Sequence, residues 1–266
     1  MVENVVDVAR LPDDRGIELE EVGISDLKLP ITVKDRENET QHTIGIFNAF
    51  VKLPATEKGT HMSRLVEILY KNRKNINHDG MCTSSWELCE RLEAPESRID
   101  VSFPYYVRRI SPVSAAENLM IYNARFTAIQ NKKTGKYTFK LGVSVKVGSV
   151  CPCAKELCQE TGASHAQRGL IEIDIATNKW IWLEQLIEIA EQAGSVPLYA
   201  RLKRPDEKHV VLQGFANPKF VEDICRDAAV LLHDLPVNGF RVKVTNFEQI
   251  HQHNAVAKKY FNWNAD

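Results

Sequence analysis

Apolar residues recur along this chain at two spacings, and the alternation between them sets out a mixed architecture. His42 to Leu53 is dense in β-branched and aromatic residues and predicts a strand. Leu65, Ile68 and Leu69 then recur at helical spacing and predict a helix over 62–73, with Ser63 placed to cap it. A second helix is expected over 84–93. Strands are expected over 100–110 and 119–130, and the run 131–136, Asn-Lys-Lys-Thr-Gly-Lys, is a hairpin turn into a strand over 137–147. The second half follows a similar plan. Gly169 to Ala176 alternates as a strand, and 182–193 is an amphipathic helix closed by Gly194. A longer helix is expected over 218–234, with Asn217 as cap and Pro218 in its first turn, and 240–246 alternates as a strand. The tail from His251 onward is polar and aromatic.

Residues 1–38 read as an extended arm, with a turn at Pro12-Asp13-Asp14-Arg15 and an interruption at Pro30. The rest divides into two strand-and-helix halves, 39–147 and 148–266. His61-Met-Ser-Arg64 in the first is echoed by His165-Ala-Gln-Arg168 in the second. Together these features suggest a duplicated α+β module.

Composition narrows the function classes. The chain has 266 residues, 44% hydrophobic and 26% charged, as expected of a globular protein with a substantial core. Its formal net charge of −1 gives no nucleic-acid or membrane-surface footprint, though a local cationic pocket for phosphate stays open. No apolar run reaches the roughly 18 residues of a membrane span, and the acidic, polar start lacks the apolar centre of a signal peptide. A cytoplasmic protein with reduced thiols is therefore expected for the six cysteines, 82, 89, 151, 153, 158 and 225.

Three clusters could carry chemistry. Cys151-Pro152-Cys153 ends a predicted strand, and His165 follows a short loop later. Thiolate and imidazole suit a borderline-soft divalent metal; the same pair suits a nucleophilic cysteine activated by histidine, or an ordinary loop. Pro152 cannot donate to a ladder, so the two thiols sit at a strand end or in a loop. The charged run Arg201 to His209 is either a solvated hairpin tip or the source of a carboxylate, Glu207 or Asp206, completing an open three-ligand site. Such a site lowers the pKa of a bound water. Finally, Glu248 follows a predicted strand and His251 lies three residues on. A carboxylate there can accept two hydrogen bonds from an amidine-like edge such as guanine's, and a histidine can shuttle protons at cellular pH.

These residues together resemble a known family. Ser149-Val-Cys-Pro-Cys-Ala-Lys-Glu156, Gly162-Ala-Ser-His-Ala-Gln-Arg168, Arg204-Pro-Asp-Glu207, Asn217-Pro-Lys-Phe-Val-Glu-Asp223 and Asn246-Phe-Glu-Gln-Ile-His-Gln-His253 are similar to the type IB GTP cyclohydrolases. Val22-Gly-Ile-Ser and Gly59-Thr-His-Met-Ser-Arg64 fit as well, so the resemblance runs from about Asp7 to Ala257.

The resemblance implies the tunnelling fold, or T-fold: two tandem lobes of antiparallel sheet with helices on one face, assembled into a barrel-like homotetramer with active sites between subunits. It implies conversion of GTP and water to 7,8-dihydroneopterin triphosphate and formate, the first step of folate synthesis, with a divalent metal such as zinc, manganese or iron(II). By position, Cys151, His165 and Glu207 match the metal site, and Cys153 matches a second cysteine beside it. Glu222, Glu248 and His251 match the remaining active-site positions, with Glu248 on the guanine edge. Lys155, Arg168, Lys203 and Arg204 are candidates for the triphosphate. The loop from Cys151 to His165 is two residues longer than is usual in the family. Aligning Cys-Pro-Cys as a block places the insertion at 157–164 and makes Cys151 the ligand, whereas counting back from His165 selects Cys153. Two alternatives remain at this point: a T-fold nitrile reductase with Cys151 as nucleophile and a nicotinamide cofactor, or a non-catalytic metal-binding assembly protein.

Overall fold

The computed structural model describes residues 7–263. The chain divides into two compact units, the first Met1–Phe103 with Arg125–Lys140, the second Pro104–Ala124 with Leu141–Asp266.

The first unit is an antiparallel sheet carrying two helices. Strands β1 (Leu19–Asp35) and β2 (Glu39–Leu53) pair along their length, and β2 pairs with β3 (Glu96–Ile110). Parts of β4 (Glu117–Asn131) and β5 (Tyr137–Val150) complete the order β1-β2-β3-β4-β5. Period-2 burial is clear in β2, where Phe47, Ala49, Val51 and Leu53 face inward. Helices α1 (Met62–Asn72) and α2 (His78–Arg91) bury Leu65, Ile68 and Leu69, and Met81, Leu88 and Cys89, respectively. The expected hairpin turn closes with Asn131 N–H donating to the Lys136 carbonyl at 2.9 Å.

Four expectations change here. The arm through residue 38 does not hold, because 19–35 is a paired strand whose Leu29, Ile31 and Val33 are buried. Pro30 gives no break, since β1 is an edge strand and an edge tolerates a missing N–H. Ser63 does not cap α1; His61 occupies that position. The second helix starts earlier than its apolar periodicity indicates, at a strong cap: Asn77 accepts from the N–H groups of Asp79 and Gly80.

The second unit carries the site. It contains the remaining parts of β3, β4 and β5, a short helix α3 (Pro152–Leu157), β6 (Ala166–Ala176), α4 (Leu183–Ala193), β7 (Val196–Pro197), α5 (Arg204–Ala216), α6 (Val221–His233), β8 (Gly239–Asn246) and β9 (Ala255–Phe261). The strand order is β3-β4-β5-β6-β8-β9, with β7 pairing to β5. Ile171, Ile173 and Ile175 of β6 and Phe240, Val242 and Val244 of β8 are fully buried, as are Leu186 and Ile187 of α4 and Ile224, Ala228 and Leu232 of α6. Helices α4 and α6 pack together, and α6 lies on β8 and β9.

Three segments of this unit differ from expectation. The charged run at 201–209 is no hairpin tip: α5 begins inside it, with Pro205 in the first turn, where proline's missing N–H costs nothing. Its apolar residues do not form one face, since Val211 and Leu212 stay exposed. The polar tail contains the edge strand β9, where Lys259 on the inward-facing side and the exposed Val256 and Tyr260 conceal the alternation. Helix α6 starts at Val221 rather than near Asn217, with Asp223 accepting from Phe220 N–H at 3.0 Å.

Gly194 ends α4 directly against β5. A Cβ there would lie 2.6 Å from Val147 Cβ, four residues before Cys151. Gly194→Ala is expected to cost about 1–3 kcal/mol through overpacking, measured by denaturant unfolding; an unchanged midpoint would mean that the backbone shifts freely there.

Candidate active site

Strand register brings the chemistry to one end of the second unit. Gly169 of β6 pairs with Asn246 of β8, so the residues entering β6 lie beside those leaving β8. Phe247 N–H donates to the Arg168 carbonyl at 2.9 Å and extends that alignment. The end of β5 joins them, because Cys151 N–H donates to the His165 carbonyl at 3.2 Å, and the Ser164 hydroxyl donates to the Cys151 carbonyl at 2.9 Å. Lys219 N–H donates to the Val150 carbonyl at 3.0 Å and brings in the approach to α6.

A pocket of about 260 Å³ opens at this junction. Cys151, Gln167, Lys219, Phe220, Val221, Glu222, Asn246, Glu248, His251, His253 and Ala255 line it. Cys151 is half-buried at the cap of α3, where its sulfur accepts from Ala154 N–H at 3.4 Å. The helical turn separates the two thiols, leaving Cys153 exposed and out of the lining. Glu222 projects from the first turn of α6, and the rings of His251 and His253 stack with centroids 5.0 Å apart. His165 is half-buried; its Nδ1 lies 2.8 Å from Gln167 Oε1, while Gln167 Nε2 donates to Glu248 Oε1 at 3.3 Å.

His165 is not itself among the residues lining the pocket, and further candidates also lie outside it. Glu207 is exposed in the first turn of α5. Its neighbour Asp206 is the buried one and anchors the helix, accepting from the N–H groups of Val113, Ser114 and Lys203 and from the Ser114 hydroxyl. Burial alone would raise the Asp206 pKa, but these hydrogen bonds prevail and hold the carboxyl well below the usual carboxylate range. Lys155 donates to the Phe215 carbonyl at 2.6 Å; Arg168, Lys203 and Arg204 are exposed. The cation that lines the pocket is Lys219, whose Nζ donates to the Ala193 carbonyl at 3.0 Å and pairs with Asp227 at 2.8 Å. Lys219, Phe220, Asn246 and His253 sit within the quoted motifs without being singled out there.

The donor types at this junction suit a divalent metal: a half-buried thiol, imidazoles and carboxylates, with Cys151 and His165 joined through their backbones. Among the described residues, no three His, Cys, Asp or Glu side chains are gathered closely enough to hold an ion. No helix among them is long and apolar enough to cross a membrane.

The chain is similar to known proteins along nearly its whole length. A family model described as type I GTP cyclohydrolase FolE2 matches residues 5–257. GTP cyclohydrolase FolE2 of Aromatoleum aromaticum is 41% identical over 254 residues, covering 95% of this chain and 92% of that protein. The protein of the same name from Pseudothermotoga lettingae is 43% identical over 253 residues, covering 94% of this chain and 96% of that protein. Among solved structures, uricase from Arthrobacter globiformis matches with a TM-score of 0.54 at 6% identity, over 93% of this chain and 94% of that one. Urate oxidase from Bacillus subtilis matches with a TM-score of 0.51 at 6% identity, over 91% and 97%. These likenesses bear on fold alone and agree with the α+β tunnelling fold. By family model and by identity along nearly its whole length, the chain belongs to the type I GTP cyclohydrolase FolE2 family.

Proposed function

We propose that the chain hydrolyses GTP to 7,8-dihydroneopterin triphosphate and formate, in the first step of tetrahydrofolate synthesis. The observation that carries this is a single pocket joining Cys151 to Glu222, Glu248 and His251 at the converging ends of β5, β6 and β8. Family membership does not favour the nitrile reductase or the non-catalytic alternative.

Each side chain has a task in this reading. Glu248 accepts from N1–H and the 2-amino group of guanine, and Glu222 lines the same pocket. His251 donates a proton to N7 as the imidazole ring of the base opens, and His253, stacked on it, shares that proton traffic. Carbon 8 leaves as formate after two hydrolyses, and the ribose carbons close onto the pyrimidine amines with loss of one water, so no net redox is needed. Cys151, His165 and Glu207 would hold a divalent zinc, manganese or iron(II) ion, with Cys153 nearby. When bound, that ion supplies an activated water at neutral pH. Glu207 enters this set through the family pattern. Lys155, Arg168, Lys203 and Arg204 are assigned to the triphosphate, on the strength of their charge.

The reading extends to assembly. The pocket of about 260 Å³ is smaller than the roughly 300–1,000 Å³ usual for small-molecule sites, which supports completion by a second subunit. Among the described residues β9 ends the sheet, with Val256 and Tyr260 exposed, which supports pairing between copies in a homotetramer. Two tandem lobes, the first including strand β1, in a cytoplasmic enzyme complete the proposal. Incubation of the purified protein with GTP and a divalent metal tests it: one formate and one oxidisable pterin per GTP are expected. Absence of both products with every metal overturns the reading.

A further inference from the structure

Gln167 was expected only as a letter of a motif, yet its side chain reaches two functional candidates at once. It enters β6 between two exposed residues, Ala166 and Arg168, and strand alternation turns its own side chain to the pocket. One end meets His165 Nδ1 at 2.8 Å and the other meets Glu248 Oε1 at 3.3 Å.

The chemistry of these partners fixes every proton between them. An ionised carboxylate only accepts, so the amide end facing Glu248 is the NH₂ group. The end facing His165 is then the carbonyl oxygen, which also only accepts. His165 Nδ1 must therefore carry the hydrogen, and Nε2 keeps its lone pair free. The glutamine amide supplies one acceptor and one donor, one for each end. Glutamate would set a second carboxylate against Glu248, leucine would serve neither partner, and lysine could not accept from the imidazole.

We propose that Gln167 is a positioning residue that holds His165 in its Nδ1–H tautomer and at the same time orients the Glu248 carboxylate. One amide thus couples the nitrogen offered to a metal to the carboxylate offered to the purine. Histidine ligands commonly donate their second ring N–H in this way, and loss of the acceptor weakens metal binding about 10- to 100-fold. The inference rests on the proposed roles of His165 and Glu248.

Long-range ¹H–¹⁵N correlation NMR on metal-free, ¹⁵N-histidine-labelled protein tests it. In the native chain at about pH 8, His165 is expected as the Nδ1–H tautomer. Gln167→Leu is expected to return it to the Nε2–H form favoured by free imidazole, and to lower zinc affinity about 10- to 100-fold. Gln167→Glu keeps the acceptor for His165 but repels Glu248. It should preserve the tautomer and zinc affinity while raising the KM for GTP about 10-fold or more. An Nε2–H tautomer in the native chain, or a tautomer unchanged in Gln167→Leu, would overturn the proposal. Should Gln167→Leu not fold, the native tautomer and the split between KM and zinc affinity in Gln167→Glu decide the matter. Zinc titration of His165→Ala separates the two levels: undiminished affinity there removes the metal role of His165, while the tautomer result still decides the role of Gln167.

Discussion

Cys151→Ala is expected to lower kcat/KM for GTP by about 10³-fold or more, because activation of water by a bound metal is worth several kcal/mol. Metal content should fall with activity, measured by elemental analysis of the dialysed protein. The fold should survive, since the sulfur is half-buried and accepts one weak hydrogen bond, from Ala154 N–H. The same experiment settles the spacing question in the Cys-Pro-Cys motif. The α3 turn leaves Cys153 exposed and outside the pocket lining, so Cys153→Ala should cost less activity and less metal than Cys151→Ala. The reverse order would move the ligand to Cys153.

Glu248→Ala is expected to be the second severe loss, and its signature is specificity. Hydrogen bonds to a charged group contribute roughly 1.5–3 kcal/mol each, so losing two should lower kcat/KM for GTP about 10²- to 10⁴-fold. ITP lacks the 2-amino group and can make only one of them. The native chain should therefore favour GTP over ITP by about 10- to 100-fold, and the variant should treat them nearly alike. Retained discrimination in Glu248→Ala, measured from kcat/KM for both nucleotides, would transfer the guanine edge to another group, with Glu222 the other carboxylate lining the pocket.

The parts of this molecule that could be foreseen are those in which one physical signal dominates. Strands β2, β6 and β8 alternate along their length, and the apolar faces of α4 and α6 repeat at helical spacing, so burial alone specifies them. Helix α5 escaped because Val211 and Leu212 lie off any single apolar face and because its charged start imitates a turn. Strands β1 and β9 escaped for a related reason: Pro30 and the adjacent Lys258 and Lys259 are tolerated at the edges of the sheet. In the site, Cys151, Glu222, Glu248 and His251 were accessible as chemically distinctive side chains in recognisable motifs. Gln167 and Asn246 were not, because an amide acquires its role only from what the β6–β8 register sets beside it. The same register explains why residues far apart in the chain, Cys151 and Glu248, line one pocket.

The most direct test of metal-dependent GTP hydrolysis is formate release by metal-stripped protein to which zinc, manganese or iron(II) is restored one at a time. No turnover is predicted in the stripped chain, with recovery of formate and pterin together for at least one of the three ions. Full turnover without metal, or no formate with any of them, would contradict the proposed chemistry.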